Sequence, residues 1–225
     1  MYDVLLFDLD GTLYPIANGY EAHVRSNLFD YMHQKLGVPR DQAEEVWRPL
    51  FRKHNQSLKG LRDGGYTIDA EEYWAFIRAG QERFLTRDDE VRRFLQSLPQ
   101  PKWVITNCDE KHAKIAVEAL GLQDCFQGVL GASFMGDSCK PARVVFEQVL
   151  KHLQADPQRT VMFEDSLKNL RMAKQLGMTT VLIAGPTLHE EAASASRSDV
   201  GEVVDVVVES PTEICLRDRL PQLWL

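Results

Sequence analysis

The sequence carries no excess of positive charge. Its 225 residues contain 26 Lys and Arg against 33 Asp and Glu, which gives a formal net charge of −7 at pH 7. Proteins that bind nucleic acid draw most of their affinity from Lys and Arg side chains that displace counterions from phosphates, and this chain has no basic block. We therefore expect no binding to a nucleic acid polymer.

Cysteine and histidine are sparse, and their spacing excludes the common metal motifs. The four cysteines form no CxxC pair, and the six histidines form no HxH or HExxH pattern. Neither a zinc site nor a disulfide framework is therefore indicated. We expect Cys108, Cys125, Cys139 and Cys215 to be reduced, buried thiols.

Long hydrophobic runs are also missing. No apolar stretch approaches the roughly 20 residues that a membrane helix needs. The first ten residues carry Asp3, Asp8 and Asp10 instead of a basic segment followed by an apolar one. With 44% hydrophobic and 26% charged residues, the composition is typical of a globular protein with a sizeable core. We expect no membrane association and a cytoplasmic location, and the sequence leaves protein partners open.

Short apolar runs rich in β-branched residues alternate with segments that have helical periodicity. The runs are MYDVLLFD at 1–8, KWVIT at 102–106, GVLGA at 128–132, TVMFE at 160–164, TTVLI at 179–183 and, as a sixth candidate, VVDVVV at 203–208. The helical segments between them are 109–121, 141–153 and 166–177. This alternation predicts an α/β fold with a Rossmann-like parallel sheet covered by helices.

Residues 16–97 interrupt this alternation, since no buried strand appears among them. Four stretches there have the pattern of amphipathic helices, at 20–37, 41–61, 69–85 and 88–98. We interpret 16–97 as an α-helical cap domain inserted into a core domain formed by 1–15 and 98–225. The alternative is one arm of a continuous fold. A surface loop is expected at 192–202.

The first strand leads directly into two acidic residues. If the chain stays extended to Asp10, the carboxylates of Asp8 and Asp10 lie on the same side. Two like charges so close need a cation, and Mg²⁺ prefers oxygen ligands. An Asp-Gly-Thr segment on its own is also compatible with a simple turn.

Further candidates follow the later strands. Thr106 and Asn107 offer a hydroxyl, an amide and backbone N–H groups to a phosphate, although such residues also cap helices. Lys140, before Pro141, has a surface charge as its plain alternative, and Glu164 with Asp165 could merely cap the next helix. Four carboxylates at two strand ends nevertheless fit a shared divalent ion better than independent caps.

Taken in order, these residues resemble the haloacid dehalogenase superfamily of phosphohydrolases. The matching motifs are DLDGT at 8–12, Thr106, Lys140, and Glu164 with Asp165. Within the superfamily, the sequence is similar to the pyrimidine 5′-nucleotidase branch. The segments that carry this narrower similarity are DLDGTLYP, ITN followed by His112, SLKGL at 57–61, and FEDSLKNLRMAKQLGMTTVLI.

The resemblance implies a catalytic role for each motif residue. Asp8 would form an aspartyl phosphate, and Asp10 would protonate the leaving group and then deprotonate the attacking water. Thr106, Asn107 and Lys140 would bind the phosphate. The cofactor would be Mg²⁺, held by Asp8, the Asp10 carbonyl, Asp165 and Glu164.

The hypothesis is therefore a Mg²⁺-dependent phosphomonoesterase of a small phosphorylated metabolite, with a pyrimidine nucleoside 5′-monophosphate such as UMP or CMP as the leading substrate. Tyr14, His54, Asn55 and Ser57 are candidate contacts to the leaving group, each equally compatible with packing. The alternative is a sugar-phosphate phosphatase or a phosphoglucomutase-like enzyme. A third hypothesis, of another class, is a non-catalytic scaffold that binds a partner through the cap.

Overall fold

The computed structural model describes residues 1–184, 201–210, 212 and 215–225. Apart from its last two residues, the surface loop expected at 192–202 lies outside these ranges. Across the described ranges, no helix is both long enough and apolar enough to cross a membrane.

The described residues form a parallel sheet in the strand order β3-β2-β1-β4-β5-β6. The strands are β1 (Val4–Phe7), β2 (Lys102–Ile105), β3 (Gly128–Leu130), β4 (Thr160–Glu164), β5 (Thr179–Ile183) and β6 (Val206–Val208). Every neighbouring pair runs parallel. The predicted α/β fold is confirmed, and the sixth candidate run supplies an edge strand.

The central strands are continuous apolar runs because both of their faces are covered. All four residues of β1 are buried, as are all five of β4. A strand with only one covered face would alternate apolar and polar residues. One face packs into a core cluster that includes Leu6, Met162, Phe146 and Leu170. This packing fixes the ends of β1 and β4 next to each other.

Helices fill the segments between and around the strands. They are α1 (Tyr20–Leu36), α2 (Ala43–His54), α3 (Ser57–Asp63), α4 (Ala70–Ile77), α5 (Asp89–Ser97), α6 (Glu110–Ala119), α7 (Ala132–Met135), α8 (Arg143–Leu153), α9 (Leu167–Gln175) and α10 (Cys215–Arg219). The three helical segments expected between strands correspond to α6, α8 and α9. The thiols of Cys108, Cys125 and Cys139 are reduced and buried, as predicted. The side chain of Cys215 lies outside the described part.

The chain divides into two compact units, 1–18 with 85–225, and 19–84. The unit that contains the sheet includes α5, which the sequence pattern places within the inserted block at 16–97. The reason is visible in its packing: Val91 and Leu95 are buried, and Phe94 meets Phe163 of β4 edge to face at 6.4 Å. An amphipathic pattern shows which helix face is buried, but not which element covers it.

The helical unit, 19–84, has an aromatic core of its own. Tyr31 and Tyr73 are fully buried and pack edge to face at 5.3 Å between ring centroids. The segment 41–61, expected as one helix, is the pair α2 and α3. The break occurs because Asn55 adopts a left-handed φ of 54°, which ends α2.

Replacing Leu170 with Ala should destabilise the protein by about 2–5 kcal/mol, because the side chain is fully buried in the core cluster and truncation leaves a cavity. The matched control is Val144→Ala on α8, whose side chain is 53% exposed and should change stability by less than about 0.5 kcal/mol. Urea unfolding measures both. Equal losses in the two variants would contradict this core assignment.

Candidate active site

The candidate site lies where β1 and β4 end, at the point where the strand order reverses. Strands β1, β2 and β3 progress towards one edge of the sheet, and β4, β5 and β6 progress towards the other. Open α/β sheets bind ligands beyond the carboxyl ends of their strands at this switch point. Asp8 directly follows β1, and its N–H donates to the carbonyl of Phe163 in β4 at 2.9 Å. The backbone hydrogen bonds between β1 and β4 thus continue as far as Asp8 and fix the position where the acidic segment begins.

A buried lysine bridges two carboxylates at the carboxyl ends of β1 and β4. The Lys140 Nζ donates to Asp8 Oδ1 at 2.6 Å and to Glu164 Oε2 at 2.8 Å. The three residues are 1%, 7% and 0% exposed for Lys140, Asp8 and Glu164. The sequence alone allows a solvated surface charge at Lys140; the structure excludes that interpretation.

The charges of this cluster are strongly coupled. Burial, followed by the nearby Glu164 carboxylate, raises the pKa of Asp8 well above its usual value. Burial opposes the charged form of Lys140, but Asp8 and Glu164 outweigh it and raise the lysine pKa. Burial likewise opposes the Glu164 carboxylate, yet Lys140 and donated hydrogen bonds lower its pKa. Lys140 and Glu164 are therefore charged. Asp8 is the carboxyl group whose ionised form is disfavoured by burial and by the neighbouring Glu164 carboxylate.

Glu164 is held from four directions. Its Oε1 accepts from the backbone N–H groups of Asp165 and Ser166, both at 3.2 Å. Its Oε2 accepts from Lys140 and, at 2.9 Å, from Asn169 Nδ2 on α9. In the sequence, the position of Asn169 five residues after Glu164 gives no signal of this contact.

The segment after Asp8 turns sharply. Gly11 has a φ of 84°, which favours glycine, and a Cβ at this position would lie 2.4 Å from Asp165 Oδ2. Asp10 accepts a hydrogen bond from the hydroxyl of Tyr14, and the two residues also form a backbone bridge. Tyr14, a candidate contact to the leaving group, is therefore a partner of Asp10.

The side chains of the two residues after β2 both form hydrogen bonds within the protein. The Thr106 hydroxyl is buried and accepts from the Cys108 N–H at 3.1 Å, which leaves its proton for another acceptor. The Asn107 side chain, expected at a phosphate, binds the backbone of Lys140: its Nδ2 donates to the carbonyl at 3.0 Å and its Oδ1 accepts from the N–H at 2.8 Å.

The other three candidate substrate residues lie in the helical unit, around the junction of α2 and α3. His54 Nε2 is 2.9 Å from Asp63 Oδ2, and the Ser57 hydroxyl accepts from Trp47 Nε1 at 2.8 Å. The Asn55 N–H donates to the carbonyl of Phe51 at the end of α2. These contacts lie within the helical unit, and a substrate role for the three residues stays a prediction.

The oxygen-rich donor set fits a hard divalent cation. One carboxylate oxygen each from Asp8, Glu164 and Asp165 lie within 4.8 Å of one another, and all three residues are buried. Asp8 and Glu164 share the ammonium of Lys140. Mg²⁺ takes one or two carboxylates and completes its octahedron with water and phosphate oxygens. Both Glu164 oxygens already accept hydrogen bonds within the protein, and which of these carboxylates would hold the ion stays a prediction.

The family follows from a comparison with known sequences. Residues 2–177 match the family model of the haloacid dehalogenase-like hydrolases. The chain belongs to this family. Protein CbbY of Cereibacter sphaeroides is 39% identical to this haloacid dehalogenase-like hydrolase, over 88% of this chain and 91% of that protein.

Two further relatives are less than 30% identical to this chain. The ribulose-1,5-bisphosphate 5-phosphatase of Halopiger xanaduensis is 27% identical, over 95% of this chain and 98% of the relative. Phosphate metabolism protein 8 of Saccharomyces cerevisiae is 26% identical over 80% of this chain, which spans only 60% of the yeast protein. A HAD phosphatase from Thermococcus onnurineus has the same fold, with a TM-score of 0.67 at 21% identity and 97% coverage of both chains.

Replacing Gly11 with Ala should weaken Mg²⁺ binding by about 10-fold or more, because the added Cβ displaces Asp165. Gly65→Ala is a matched control: Gly65 has a φ of 89°, but a Cβ added there would meet nothing within 4 Å. Both glycines have a positive φ, so both variants carry backbone strain, and only Gly11→Ala adds the clash with Asp165. Calorimetric titration with Mg²⁺ separates them, and equal affinities would exclude Asp165 as a ligand.

Proposed function

We propose that this hydrolase removes phosphate from a small phosphorylated carbohydrate, with Asp8 as the nucleophile and Mg²⁺ as the cofactor. One observation carries the proposal: the buried Lys140 joins Asp8 to Glu164 beside Asp165, at the switch point of the sheet. A non-catalytic scaffold has no physical need for this arrangement. Burying three charged groups carries a desolvation penalty, which hydrophobic side chains of similar volume would avoid.

The chain is a phosphoric monoester hydrolase. Its family model is that of a hydrolase, and the Halopiger relative, aligned over nearly its whole length, is named as a phosphatase. Asp10 supports the same reaction class, since a carboxylate two residues after the nucleophile can protonate a leaving alkoxide. Displacement of a halide produces no alkoxide that would need this proton.

A sugar phosphate is better supported than the pyrimidine nucleotide that leads the sequence-based hypotheses. Ribulose bisphosphate, the substrate in the Halopiger relative's name, is a sugar phosphate. A nucleobase is usually held by stacking on an aromatic ring. In the helical unit Trp47, Tyr73 and Trp74 are buried, and Trp47 stacks on Phe51 at 4.9 Å. These three rings pack inside the helical unit, so they expose no face on which a nucleobase could stack.

The mechanism begins at the end of β1. Asp8 attacks phosphorus and forms an aspartyl phosphate, while the leaving alkoxide takes a proton from Asp10. Asp10 then accepts a proton from the water that hydrolyses the acyl phosphate. The Tyr14 hydroxyl, bound to the Asp10 carboxylate, orients this acid and base.

The remaining groups bind the phosphoryl oxygens. Lys140 supplies a positive charge next to Asp8, and the Thr106 hydroxyl still has a proton to donate. Fixed donors in a preorganised site contribute about 2–4 kcal/mol each to transition-state stabilisation. When bound, Mg²⁺ neutralises part of the negative charge of the carboxylates and the substrate. Transfer of the phosphoryl group back to a sugar, as in a phosphoglucomutase, would use the same residues.

Replacing Asp8 with Asn should lower phosphate release by about 10⁴-fold or more, because the amide is not nucleophilic. The fold should persist, since the amide oxygen can still accept from Lys140. The matched control is Asp3→Asn just before the same strand, where the exposed carboxylate pairs with Arg159 at 2.6 Å. Steady-state kinetics and circular dichroism measure activity and fold. Full activity in the Asp8 variant would remove the mechanism.

Phosphate release from a substrate panel tests the specificity. The panel contains ribulose bisphosphate, hexose phosphates, phosphoglycolate, UMP and CMP, each with Mg²⁺. We expect the highest kcat/KM on a sugar phosphate, at least about 10-fold above either nucleotide. A highest value on UMP or CMP would restore the nucleotide hypothesis, and isomerised product without free phosphate would indicate a mutase.

A further inference from the structure

Asn107 and Lys140 are connected by an unusual two-point contact. The two residues are 33 positions apart, one directly after β2 and the other in the loop before α8. Both ends of the Asn107 carboxamide bind one residue: Nδ2 donates to the Lys140 carbonyl at 3.0 Å, and Oδ1 accepts from the Lys140 N–H at 2.8 Å. A single hydrogen bond would allow rotation about itself. Two bonds to one residue fix both the position and the direction of the lysine backbone.

The other end of the lysine is fixed as well. Its Nζ donates to Asp8 and Glu164, and Glu164 is in turn held by the Asn169 amide. A lysine side chain has a flexible four-carbon stem, so an ammonium is well placed only if the stem is restrained. Here the restraint acts at the backbone and at the charged group together.

Local contacts also hold the turn around Lys140, since the Ala142 N–H donates to the Cys139 carbonyl at 2.9 Å. The residue at the N-cap of α8 is Ala142, whose side chain makes no capping hydrogen bond. Asn107 adds a contact that ties the backbone of this loop to the end of β2. The contact therefore couples the end of β2 to the end of β1, where the Lys140 ammonium meets Asp8.

We infer that Asn107 is a positioning residue, which acts through Lys140 and aims its ammonium at Asp8. The inference rests on the proposed function only for its kinetic consequence; the restraint itself is a property of the fold. It differs from the expectation that the Asn107 side chain binds phosphate. A direct phosphate contact would contribute whether or not the lysine is present.

A chemical labelling experiment tests the restraint without using activity. Lys140 is 1% exposed and should be acetylated slowly by an amine-reactive ester in the wild-type protein. Asn107→Ala should increase the acetylation rate of Lys140 by about 10-fold. A buried amine reacts only when the structure around it opens locally, and loss of the Asn107 contact makes that opening more frequent. Lys102, buried with its Nζ bound to the carbonyls of Leu98 and Gln100, reports on general loosening and should not change. Peptide mass spectrometry measures both rates.

The matched control is Gln148→Ala. Gln148 lies on α8, and its exposed amide donates to the Phe134 carbonyl at 2.8 Å without contact to Lys140. This variant removes an amide-to-backbone bond from α8, the helix that follows Lys140, and should leave the labelling of Lys140 and the activity as in the wild type. Faster labelling of Lys102 and Lys140 together in the Asn107 variant would mean general destabilisation and would overturn the inference.

A double-mutant cycle then tests the route by which Asn107 acts. Asn107→Ala should lower kcat about 10-fold to 100-fold with little change in KM, and Lys140→Met should lower it further. In the Lys140→Met background, removing Asn107 should cost less than about 3-fold more, because coupled residues are non-additive. If the fold-losses in kcat of the two single variants multiply in the double variant, Asn107 acts independently of Lys140 and the inference is rejected. Wild-type protein without phosphatase activity would refute the proposed function, and the labelling rates would still decide the restraint.

Discussion

The site depends on the buried ion pair between one lysine and two carboxylates. Lys140, Asp8 and Glu164 come from three segments, and the lysine lies 132 residues from Asp8 and 24 residues from Glu164 along the chain. Removing one partner of a buried pair costs about 3–5 kcal/mol, because an uncompensated charge remains. The ion pair therefore connects β1, β4 and the loop before α8, and the same contacts that stabilise the fold set the position of the nucleophile.

The sheet order makes this ion pair possible. β1 lies between β2 and β4, so the residues after all three strands meet at one edge. The Lys140 ammonium binds two of these carboxylates, and burial together with the nearby Glu164 charge raises the pKa of Asp8. A bound cation would oppose this rise. An arrangement that is electrostatically incomplete without a cation is what a metal-assisted phosphoryl transfer requires.

Local sequence patterns predicted the sheet, and with it the convergence of Asp8, Glu164 and Asp165, whereas Lys140 was assigned to the site through the family resemblance. They could do so because burial along a strand and the turn after it are properties of consecutive residues. The partner of Asn107 could not be predicted, because its contact joins two loops that only the finished fold brings together. The same holds for α5. The sequence pattern predicted which face of this helix is buried, but its place in the sheet unit depends on the contact of Phe94 with Phe163, which lies far away in the sequence.

Substrate choice is a separate problem from the chemistry. In the proposed mechanism, the ion pair and its acidic neighbours would bind the phosphoryl group, which all phosphate monoesters share, so they could not distinguish a sugar from a nucleoside. That distinction belongs to groups that meet the leaving alcohol. In the sheet unit, the proposed acid Asp10 would be such a group, and its hydrogen bond from Tyr14 restricts the direction from which it could deliver a proton. A leaving group must then present its oxygen along that direction. This requirement selects substrates by the position of the scissile oxygen before any contact to the rest of the alcohol is made.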